Sequence, residues 1–511
     1  MWIVVAVSAL AVTALAVRGH LHMLQLNSYR AGTHLPWLGR RPRWWLPQLV
    51  GLALASLSLL IAVPAAVALL VLFAVSAWLD WPRPSREKKP LVVTARVKRL
   101  AVTVAVLVAA LVVAAALAPE PWRLALAGLP YVLSPLLAPV ANWVNAPIEA
   151  GVRRRYLDEA KRMLAGMPDL VKIGVTGSFG KTSVKYYLAT LLRGRFNVLM
   201  TPESYNTPMG ITLTIRQELR STHQVFIAEM GARHVGDISE DCDLVGPTIG
   251  VITAIGEQHL ETFGSQDAIT RTKLELAHAV RGRGPVYYNG DNDLLRANAP
   301  DQERVSYGLG PGNDVFAHDL AVSTSGTTFS LSHRGREIAG IATPLIGAAA
   351  IQNLAGAAAV ALDLGLTEDE LRAQARKLAP APHRLALTRS GGVTIIDDAY
   401  NSNPAGAKAA LETLALFDAV KILITPGMVE LGPRQDALNE EFGRQAAVAD
   451  HVFLVGAKQT AAIARGLAQA GYDPASVTVV EDVQDAIRAA YALPAAGEKV
   501  ILLENDLPDN F

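Results

Sequence analysis

The sequence predicts an α-helical membrane region over residues 1–150, followed by two α/β domains over 165–379 and 380–511. Two observations lead to this prediction. The first is the alternation, after residue 165, of short apolar runs with helix-length segments, which is typical of parallel sheets covered by helices. The second is a set of stretches without any Asp, Glu, Lys or Arg, which lie at 1–17, 44–79, 100–118 and 124–148.

The uncharged stretches have lengths suited to membrane-spanning helices, which need about 20 residues. The stretches 100–118 and 124–148 each fit one crossing. The stretch 44–79 is too long for one crossing and contains Pro64 near its middle. We therefore expect it to cross twice, or to dip into the membrane and return, which gives about five spans in all.

The distribution of charge predicts the orientation in the membrane. Residues 1–165 hold 18 Lys and Arg against 6 Asp and Glu, whereas the remainder holds 29 against 40. The basic residues cluster at 18–43, 83–99 and 153–162, and such segments stay on the cytoplasmic side. We therefore predict a multi-pass protein of the cell membrane with cytoplasmic catalytic domains. Basic residues divided among loops do not form one nucleic-acid-binding face, so we expect no nucleic-acid partner.

Two rare residue types support this interpretation. All eight Trp lie within the first 143 residues, mostly at the edges of the uncharged stretches, where membrane interfaces concentrate them. The predicted spans lack acidic and basic residues, so we interpret them as an anchor or a lipid-facing platform rather than a transport pathway. The single cysteine, Cys242, argues against a disulfide framework and a zinc ribbon.

The rest of the chain carries two groups of predicted buried strands, with helical segments such as Thr182–Leu192 between them. We expect a doubly wound parallel sheet in each domain, joined near residues 378–384. The expected strands are Val171–Val175, Val225–Ala228, Ile249–Ala254 and Val286–Tyr288 in the first domain, and Val393–Ile396, Lys421–Ile424, His451–Val455 and Val500–Leu503 in the second.

A strand, a glycine turn and the start of a helix follow one another in Val171–Ser183. The backbone N–H groups of such a turn and of the helix N-terminus favour a phosphate. In this pattern Lys181 reaches the β- and γ-phosphates and Thr182 holds Mg²⁺, so we predict ATP and Mg²⁺ as cofactors. An ordinary strand-to-helix turn is the alternative. The predicted phosphate-binding residues are Gly177, Ser178, Phe179, Gly180, Lys181, Thr182 and Ser183.

Two side chains at strand ends are candidate metal ligands. Glu229 ends one strand beside the glycine turn, where a carboxylate oxygen can bind Mg²⁺ or cap a helix. His259 follows the end of another strand, and the carboxyl ends of parallel strands are where such sheets bind ligands. A histidine in that place is also compatible with a purely structural role.

These motifs resemble those of the Mur ligase superfamily. The glycine turn has that family's shortened form, and further segments match its motifs in the same order. The last two segments resemble the branch of UDP-N-acetylmuramoyl-tripeptide–D-alanyl-D-alanine ligases. The segments that carry the resemblance are Thr176–Thr182, Val225–His234, Ile252–Gly264, Arg271–Glu275, Ile396–Pro404 and Gly427–Gly432.

The resemblance implies a P-loop central domain and a Rossmann-like C-terminal domain. Glu229 and His259 would bind Mg²⁺ together with Thr182. Lys273 would carry the carbamate that many members have, although its position on a probable helix would otherwise indicate a solvated surface lysine. The candidate catalytic residues are Lys181, Lys273, His259 and Arg384.

The resemblance also implies contacts to the nucleotide from elsewhere in the chain. Asn353 would lie near the adenine. Arg384, just after the domain junction, would reach the phosphates from a moving C-terminal domain. Asp398 and Asn401 would contact the nucleotide or orient the incoming amine.

Three features depart from the family pattern. Membrane helices stand where members usually carry a UDP-sugar-binding domain, which favours a lipid-linked or membrane-proximal acceptor. Ala349 and Ala350 occupy positions where many members have His-Asn near the adenine. The chain ends in Glu504–Asn510, where the branch typically has a basic Lys-Gly-Ser-Arg stretch, and this leaves the identity of the amine open.

The implied activity is an ATP-dependent carbon–nitrogen ligase. The γ-phosphate would pass to a carboxylate of a peptidoglycan or other cell-envelope precursor, and an amino acid or dipeptide would then attack the acyl phosphate. A membrane-bound polyglutamate-type ligase is one alternative, and a non-catalytic ATP-binding scaffold is another. Membrane lipid is the remaining expected partner.

Overall fold

The computed structural model describes residues 2–27, 29–80, 90–120, 122–256, 258, 260–298, 301–400, 402–494 and 497–505. The chain forms two compact units, one that ends at Arg155 and one that begins at Tyr156.

The N-terminal unit is helical throughout its described elements. Its helices are α1 (Trp2–Leu26), α2 (Ala31–Gly39), α3 (Leu46–Leu57), α4 (Ala62–Asp80), α5 (Ala95–Leu117), α6 (Trp122–Ala127), α7 (Leu129–Val132) and α8 (Ser134–Ala165).

Three of the described helices, α1, α4 and α5, are long and apolar enough to cross a membrane, whereas about five were expected. The stretch 44–79 breaks at 58–61 rather than at Pro64, which lies in the first turn of α4, where proline is tolerated. Helix α3, at 12 residues, is about 18 Å long, too short for a hydrocarbon core of about 30 Å.

The stretch 124–148 is likewise no single helix, because it is divided among α6, α7 and α8. The described part of the chain therefore contains three long apolar helices, two fewer than the five expected spans. The basic segment at 83–89, expected on the cytoplasmic side, lies outside the described residues.

The second unit begins with the central domain. Its strands are β1 (Val171–Thr176), β2 (Val198–Met200), β3 (Val225–Glu229), β4 (Ile249–Ile252), β5 (Val286–Asn289), β6 (Arg304–Gly308), β7 (Val315–Ser323), β8 (Gly326–His333) and β9 (Arg336–Thr343). Its helices are α9 (Lys181–Leu192), α10 (Pro208–Glu218), α11 (Asp237–Val245), α12 (Leu260–Phe263), α13 (Gln266–Val280), α14 (Asp293–Ala297), α15 (Ala348–Asp363) and α16 (Glu368–Ala375).

These strands form one sheet in the order β2-β3-β1-β4-β5-β6-β7-β8-β9. Strand β1 pairs in parallel with β3 on one side and β4 on the other. The connections run towards β2 on one side of β1 and towards β5 on the other, so the direction of winding changes between β1 and β4. Ligands of open α/β sheets bind at the carboxyl ends of strands at such a point.

The C-terminal domain has its own six-stranded sheet. Its strands are β10 (Ala386–Ser390), β11 (Val393–Asp398), β12 (Val420–Thr425), β13 (His451–Val455), β14 (Val477–Val480) and β15 (Lys499–Glu504). Its helices are α17 (Pro404–Ala415), α18 (Gln435–Gln445), α19 (Ala461–Gln469) and α20 (Val483–Ala492). The strand order is β10-β11-β15-β12-β13-β14, parallel except for β10.

The prediction of two α/β domains is confirmed. Every expected strand is present, and continuous apolar runs bury their centres, as at Ile173, Ile227 and Val251. The antiparallel strands β7, β8 and β9 extend the central sheet beyond the parallel strands that the sequence predicts.

Candidate functional site

The glycine turn lies between β1 and α9, at the point where the winding of the central sheet changes. Gly177 has φ +151° and Gly180 has φ +80°, which side chains rarely adopt. A β-carbon on Gly177 would collide with the Thr253 hydroxyl, and one on Gly180 with the Asn353 amide. The turn therefore has the close-packed backbone that brings N–H groups up to a phosphate.

Hydrogen bonds from the segment after β4 hold this turn. The Ser178 backbone N–H donates to the Ala254 carbonyl at 2.6 Å, and the Ser178 hydroxyl donates to the Gly256 carbonyl at 3.0 Å. The Thr253 hydroxyl faces the carbonyls of Thr176 and Phe179. The two strands at the change in winding thus build the turn together.

Lys181 opens α9 and folds back over the turn. Its Nζ donates to the carbonyls of Gly177 at 2.8 Å and Ser178 at 3.1 Å. Burial lowers the pKa of Lys181 to about 8; the Glu229 carboxylate opposes this shift, whereas the Arg384 charge reinforces it. The Lys181 amine is thereby held at the turn. A phosphate bound there would favour the charged form of the amine and so oppose the effect of its burial.

Thr182 and Glu229 meet beside Lys181. The Thr182 hydroxyl donates to Glu229 Oε1 at 3.1 Å, and the Asn206 side-chain amide donates to the same oxygen at 3.1 Å. Glu229 is 1% exposed. These oxygens, at the N-terminus of α9, suit a hard cation such as Mg²⁺. The contact with Thr182 is compatible with the metal-ligand role considered for Glu229, and that role stays a prediction.

Lys185 is a functional candidate that sequence reasoning missed. It lies one turn after Lys181 on α9, is fully buried, and pairs with Glu229 Oε2 at 3.0 Å. Burial lowers the pKa of Lys185, and the Glu229 charge opposes that shift. The sequence does show that Lys185 follows Lys181 by four residues, which places both lysines on one side of a helix. It does not show that Lys185 pairs with Glu229, which lies 44 positions later.

Lys273 is buried on α13 at 3% exposure, contrary to the expectation of a solvated lysine from its sequence position alone. Burial lowers the pKa of Lys273 to about 7, and the nearby charge of Lys181 adds to this effect. A substantial fraction of the amine is therefore neutral near neutral pH, and only a neutral amine reacts with carbon dioxide to give a carbamate.

The described residues fit MgATP. The glycine turn forms a cradle that β-carbons would fill, two lysine amines face it, and a hydroxyl and a carboxylate oxygen lie together at the helix start. Among these residues no cluster of three His, Cys, Asp or Glu side chains exists, so the candidate metal ligands here are Thr182 and Glu229. His259, the third predicted ligand, lies outside the described residues.

Asn353 and Ser183 flank the turn. Asn353 lies on α15 with its amide against Gly180, which places it at the phosphate turn itself. The expected position of Asn353 near the adenine stays a prediction. Ser183, in the first turn of α9, hydrogen-bonds with the buried Tyr187.

Arg384 brings a charge from the C-terminal side of the junction. It acts electrostatically on both Lys181 and Asp398, and its guanidinium lies 4.3 Å from the centre of the Tyr400 ring. His383 and Leu385, on either side of it, have φ +56° and +50°. The backbone is therefore held in an uncommon conformation around this residue.

Asp398 ends β11, near Arg384. Its Oδ1 accepts from the Leu385 backbone N–H at 3.2 Å. Burial raises the pKa of Asp398 to about 6, against the opposing charge of Arg384. Asn401, the other predicted residue of this segment, lies outside the described residues.

Glu504, at the end of β15, is a second candidate that the sequence did not reveal. It is fully buried, accepts from the Thr425 hydroxyl at 2.8 Å, and is also hydrogen-bonded by the Ser402 hydroxyl. Burial raises the pKa of Glu504 to about 7. One carboxyl group thus links the Ile396–Pro404 segment to the end of β12, just before Gly427–Gly432.

Comparison with known proteins identifies the family. Residues 175–361 match the Mur ligase middle domain, and residues 383–504 match the Mur ligase glutamate ligase domain. The chain is 30% identical over 334 residues to the UDP-N-acetylmuramoyl-tripeptide–D-alanyl-D-alanine ligase of Bacillus subtilis, covering 64% of this chain and 72% of that protein. This chain belongs to the Mur ligase family. The resemblance inferred from the motifs is therefore confirmed.

Other Mur ligases agree. The ligase of the same name from Mycobacterium tuberculosis is 32% identical over 331 residues, and this chain spans 64% of its length. Crystal structures of MurF from Acinetobacter baumannii and of MurF from Thermotoga maritima in complex with ADP each superimpose with a TM-score of 0.62, at 26% and 25% identity. They cover 69% of this chain, and 77% and 80% of their own chains are matched.

Proposed function

We propose that this Mur ligase is an ATP-dependent amide-bond ligase that acts on a cell-envelope precursor, with Mg²⁺ as cofactor. The observation that carries the proposal is the cluster at the start of α9, where Lys181 bonds to the glycine turn and Glu229 contacts both Thr182 and Lys185. The kinship with D-alanyl-D-alanine-adding ligases supports a peptide precursor of peptidoglycan as the acceptor.

In the first step, a carboxylate oxygen of the acceptor attacks the γ-phosphorus of ATP, the bond to the β-phosphate oxygen breaks, and ADP leaves. The turn N–H groups and Lys181 stabilise the charge on the phosphate oxygens. Mg²⁺ bound at Thr182 and Glu229 would supply further neutralisation of that charge. Arg384 adds a positive charge from the C-terminal domain.

In the second step, the amine nitrogen attacks the carbonyl carbon of the acyl phosphate, inorganic phosphate leaves, and the nitrogen loses a proton. Excluding water matters here because an acyl phosphate hydrolyses. In this proposal the segment Ile396–Pro404 contacts the nucleotide or orients the amine, with Asp398 and Asn401 as its candidate residues.

We include a carbamate on Lys273 in this proposal. Its neutral Nζ would form a bond to the carbon of carbon dioxide and release one proton to solvent, which leaves an anionic carbamate in place of the neutral amine. Mass spectrometry of the intact protein, with and without isotope-labelled bicarbonate, tests this independently of activity. A Lys273→Met chain should lack the label, and an unlabelled parent chain would contradict the assignment.

The decisive experiment for the activity is phosphate release from MgATP by the detergent-solubilised chain. Acceptor pools should include soluble UDP-linked and lipid-linked envelope precursors, each tested with single amino acids and with D-alanyl-D-alanine. We expect release only when acceptor and amine are both present, and none from Lys181→Ala.

The outcomes separate the rival functions. Release that depends on a glutamyl acceptor and glutamate would indicate the polyglutamate-type ligase. ATP binding without release in any pool would indicate the non-catalytic scaffold and refute the ligase proposal.

We further propose that the catalytic domains act at the cytoplasmic face of the cell membrane. The three long apolar helices and the basic segments that flank them support this placement. Membrane lipid is then a partner of the N-terminal unit, and a lipid-linked acceptor is compatible with this location.

A further inference from the structure

Four aromatic side chains contact one another near the end of α1. Together with Trp45, the next residue in the chain after Trp44, we call them the Trp–His cluster: His20, His34, Trp37, Trp44 and Trp45. Ring centres lie 5.3 Å apart for His20 and Trp44, 5.4 Å for Trp37 and Trp44, and 5.5 Å for His34 and Trp37. The Trp44 ring packs against α1 at Gly19. A β-carbon on Gly19 would lie only 2.9 Å from this ring.

The nitrogens of this cluster are buried without hydrogen-bond partners anywhere in the described chain. They are His20 Nδ1, His34 Nε2 and the Nε1 atoms of Trp37, Trp44 and Trp45. His34 is fully buried and His20 is 1% exposed. An unpartnered buried polar group costs about 1–3 kcal/mol, so acceptor groups at these five nitrogens would stabilise the N-terminal unit.

The chemistry of these atoms specifies the missing partner. An indole N–H only donates. The Asn27 side-chain nitrogen lies 3.3 Å from His34 Nδ1, and in the tautomer in which Nδ1 accepts from this amide, Nε2 carries the proton. The three indole nitrogens are donors, and His34 Nε2 is a fourth in that tautomer, so the cluster suits a group with several acceptor oxygens.

Charge indicates that this group is an anion. Residues 1–79 contain no Asp or Glu, and the first carboxylate, Asp80, is within electrostatic range of Arg43. The Arg43 guanidinium also lies 5.5 Å from the centre of the Trp44 ring. Four more arginines belong to the same segment: Arg18, Arg30, Arg40 and Arg41. Positive charge with clustered N–H donors suits a phosphate.

Position indicates the source of the phosphate. His20 lies in the last two turns of α1, a helix long enough to cross a membrane, and a basic segment follows it. Such a helix end lies at the depth of lipid headgroups. Trp122 and Trp143 differ from the cluster, since they are 51% and 78% exposed, as side chains of a simple interfacial belt are.

We propose that the Trp–His cluster is a binding site for the phosphate-bearing headgroup of a membrane lipid. It would hold the lipid on the N-terminal unit whether or not the proposed ligase chemistry is correct, because the contacts involve neither ATP nor the α/β domains.

The test measures lipid retained by the whole chain after delipidation in detergent. The chain is incubated with phosphatidylcholine, phosphatidylglycerol, a polyprenyl phosphate or inorganic phosphate, and bound phosphorus and the thermal unfolding midpoint are then measured without ATP. The variant Trp37→Phe/Trp44→Phe/Trp45→Phe keeps the aromatic rings and removes three donors. The matched control is Trp122→Phe/Trp143→Phe.

We expect an anionic lipid to bind the parent and the control equally, and the triple variant at least about tenfold more weakly, a change of about 1.4 kcal/mol. Should the triple variant fail to fold, the single change Trp44→Phe provides the same comparison with a smaller loss. Equal binding by all variants would overturn the site. Equally tight binding of inorganic phosphate would overturn the lipid assignment.

Discussion

At the scale of single residues, the site depends on buried charges that neutralise one another. Lys185 and Glu229 are both almost completely buried, and their side chains pair at 3.0 Å. Glu229 also accepts hydrogen bonds from the side chains of Thr182 and Asn206. Removing either Lys185 or Glu229 therefore leaves the charge of the other buried without an opposite charge beside it.

The change Lys185→Met should destabilise the protein by about 3–5 kcal/mol, because it leaves a buried carboxylate without its cation. Thermal unfolding of the purified chain measures this effect. Adding Glu229→Gln to Lys185→Met should recover part of the loss. Lys408→Met, at an exposed lysine 3.9 Å from Glu412, is the control and should change little. A Lys185→Met chain as stable as the parent would refute the argument.

Glu504 gives a prediction about pH. Its pKa is raised from 4.5 to about 7, so the folded chain holds this proton more tightly than the unfolded chain does. The stability that this proton contributes should therefore be complete below about pH 4.5 and decline as the pH rises through about 7. Glu504→Gln stays neutral, so its unfolding midpoint should fall less over that range. Parallel curves for the two proteins would show that Glu504 does not titrate in this way.

At the scale of elements, the glycine turn makes its own prediction. Gly180→Ala adds a β-carbon that meets the Asn353 side chain at φ +80°. Gly236→Ala is a matched control, because Gly236 also begins a helix, has φ +90°, and has open space around it. Both changes carry the backbone cost of about 1–2 kcal/mol.

Only Gly180→Ala should also weaken ADP binding, which calorimetry can measure in the presence of Mg²⁺. Adding Asn353→Ala should restore part of the affinity by relieving the collision. Equal affinity of the Gly180→Ala and Gly236→Ala chains would show that the turn does not contact the nucleotide.

Elements differ in how far the sequence predicts them. The buried parallel strands are continuous apolar runs, so β1, β3, β4 and β12 are evident from the sequence. Strands β7 and β9 are buried at only some of their positions and carry polar residues, so they lack the continuous apolar runs that reveal the parallel strands.

The candidate site shows the same limit. Lys181 and Thr182 belong to a local motif, whereas Glu504 meets Ser402 across 102 positions, a contact that no local pattern encodes. The burial of Lys273 is hidden for the same reason, since it depends on which face of α13 the sheet covers.

At the scale of the whole molecule, the chain combines a helical N-terminal unit with a two-domain Mur ligase body. The basic segments predict that Arg40 faces the cytoplasm and that Glu120, between α5 and α6, faces outside. Both positions are exposed. The chain has one cysteine, and Cys242 is buried, so single-cysteine labelling is practicable once it is replaced by alanine.

In that background, Glu120→Cys should react with a membrane-impermeant maleimide in intact cells, whereas Arg40→Cys should react only after the membrane is opened. Labelling of both, or of neither, in intact cells would contradict the predicted topology. The reverse pattern would place the catalytic domains outside, where ATP is scarce.

The uncommon backbone around Arg384 has a mechanical consequence. Because His383 and Leu385 both have positive φ, Arg384 lies in a short segment of uncommon backbone conformation directly ahead of β10. Any rotation of the C-terminal sheet about this junction must therefore carry the arginine with it and change the electric field at Lys181.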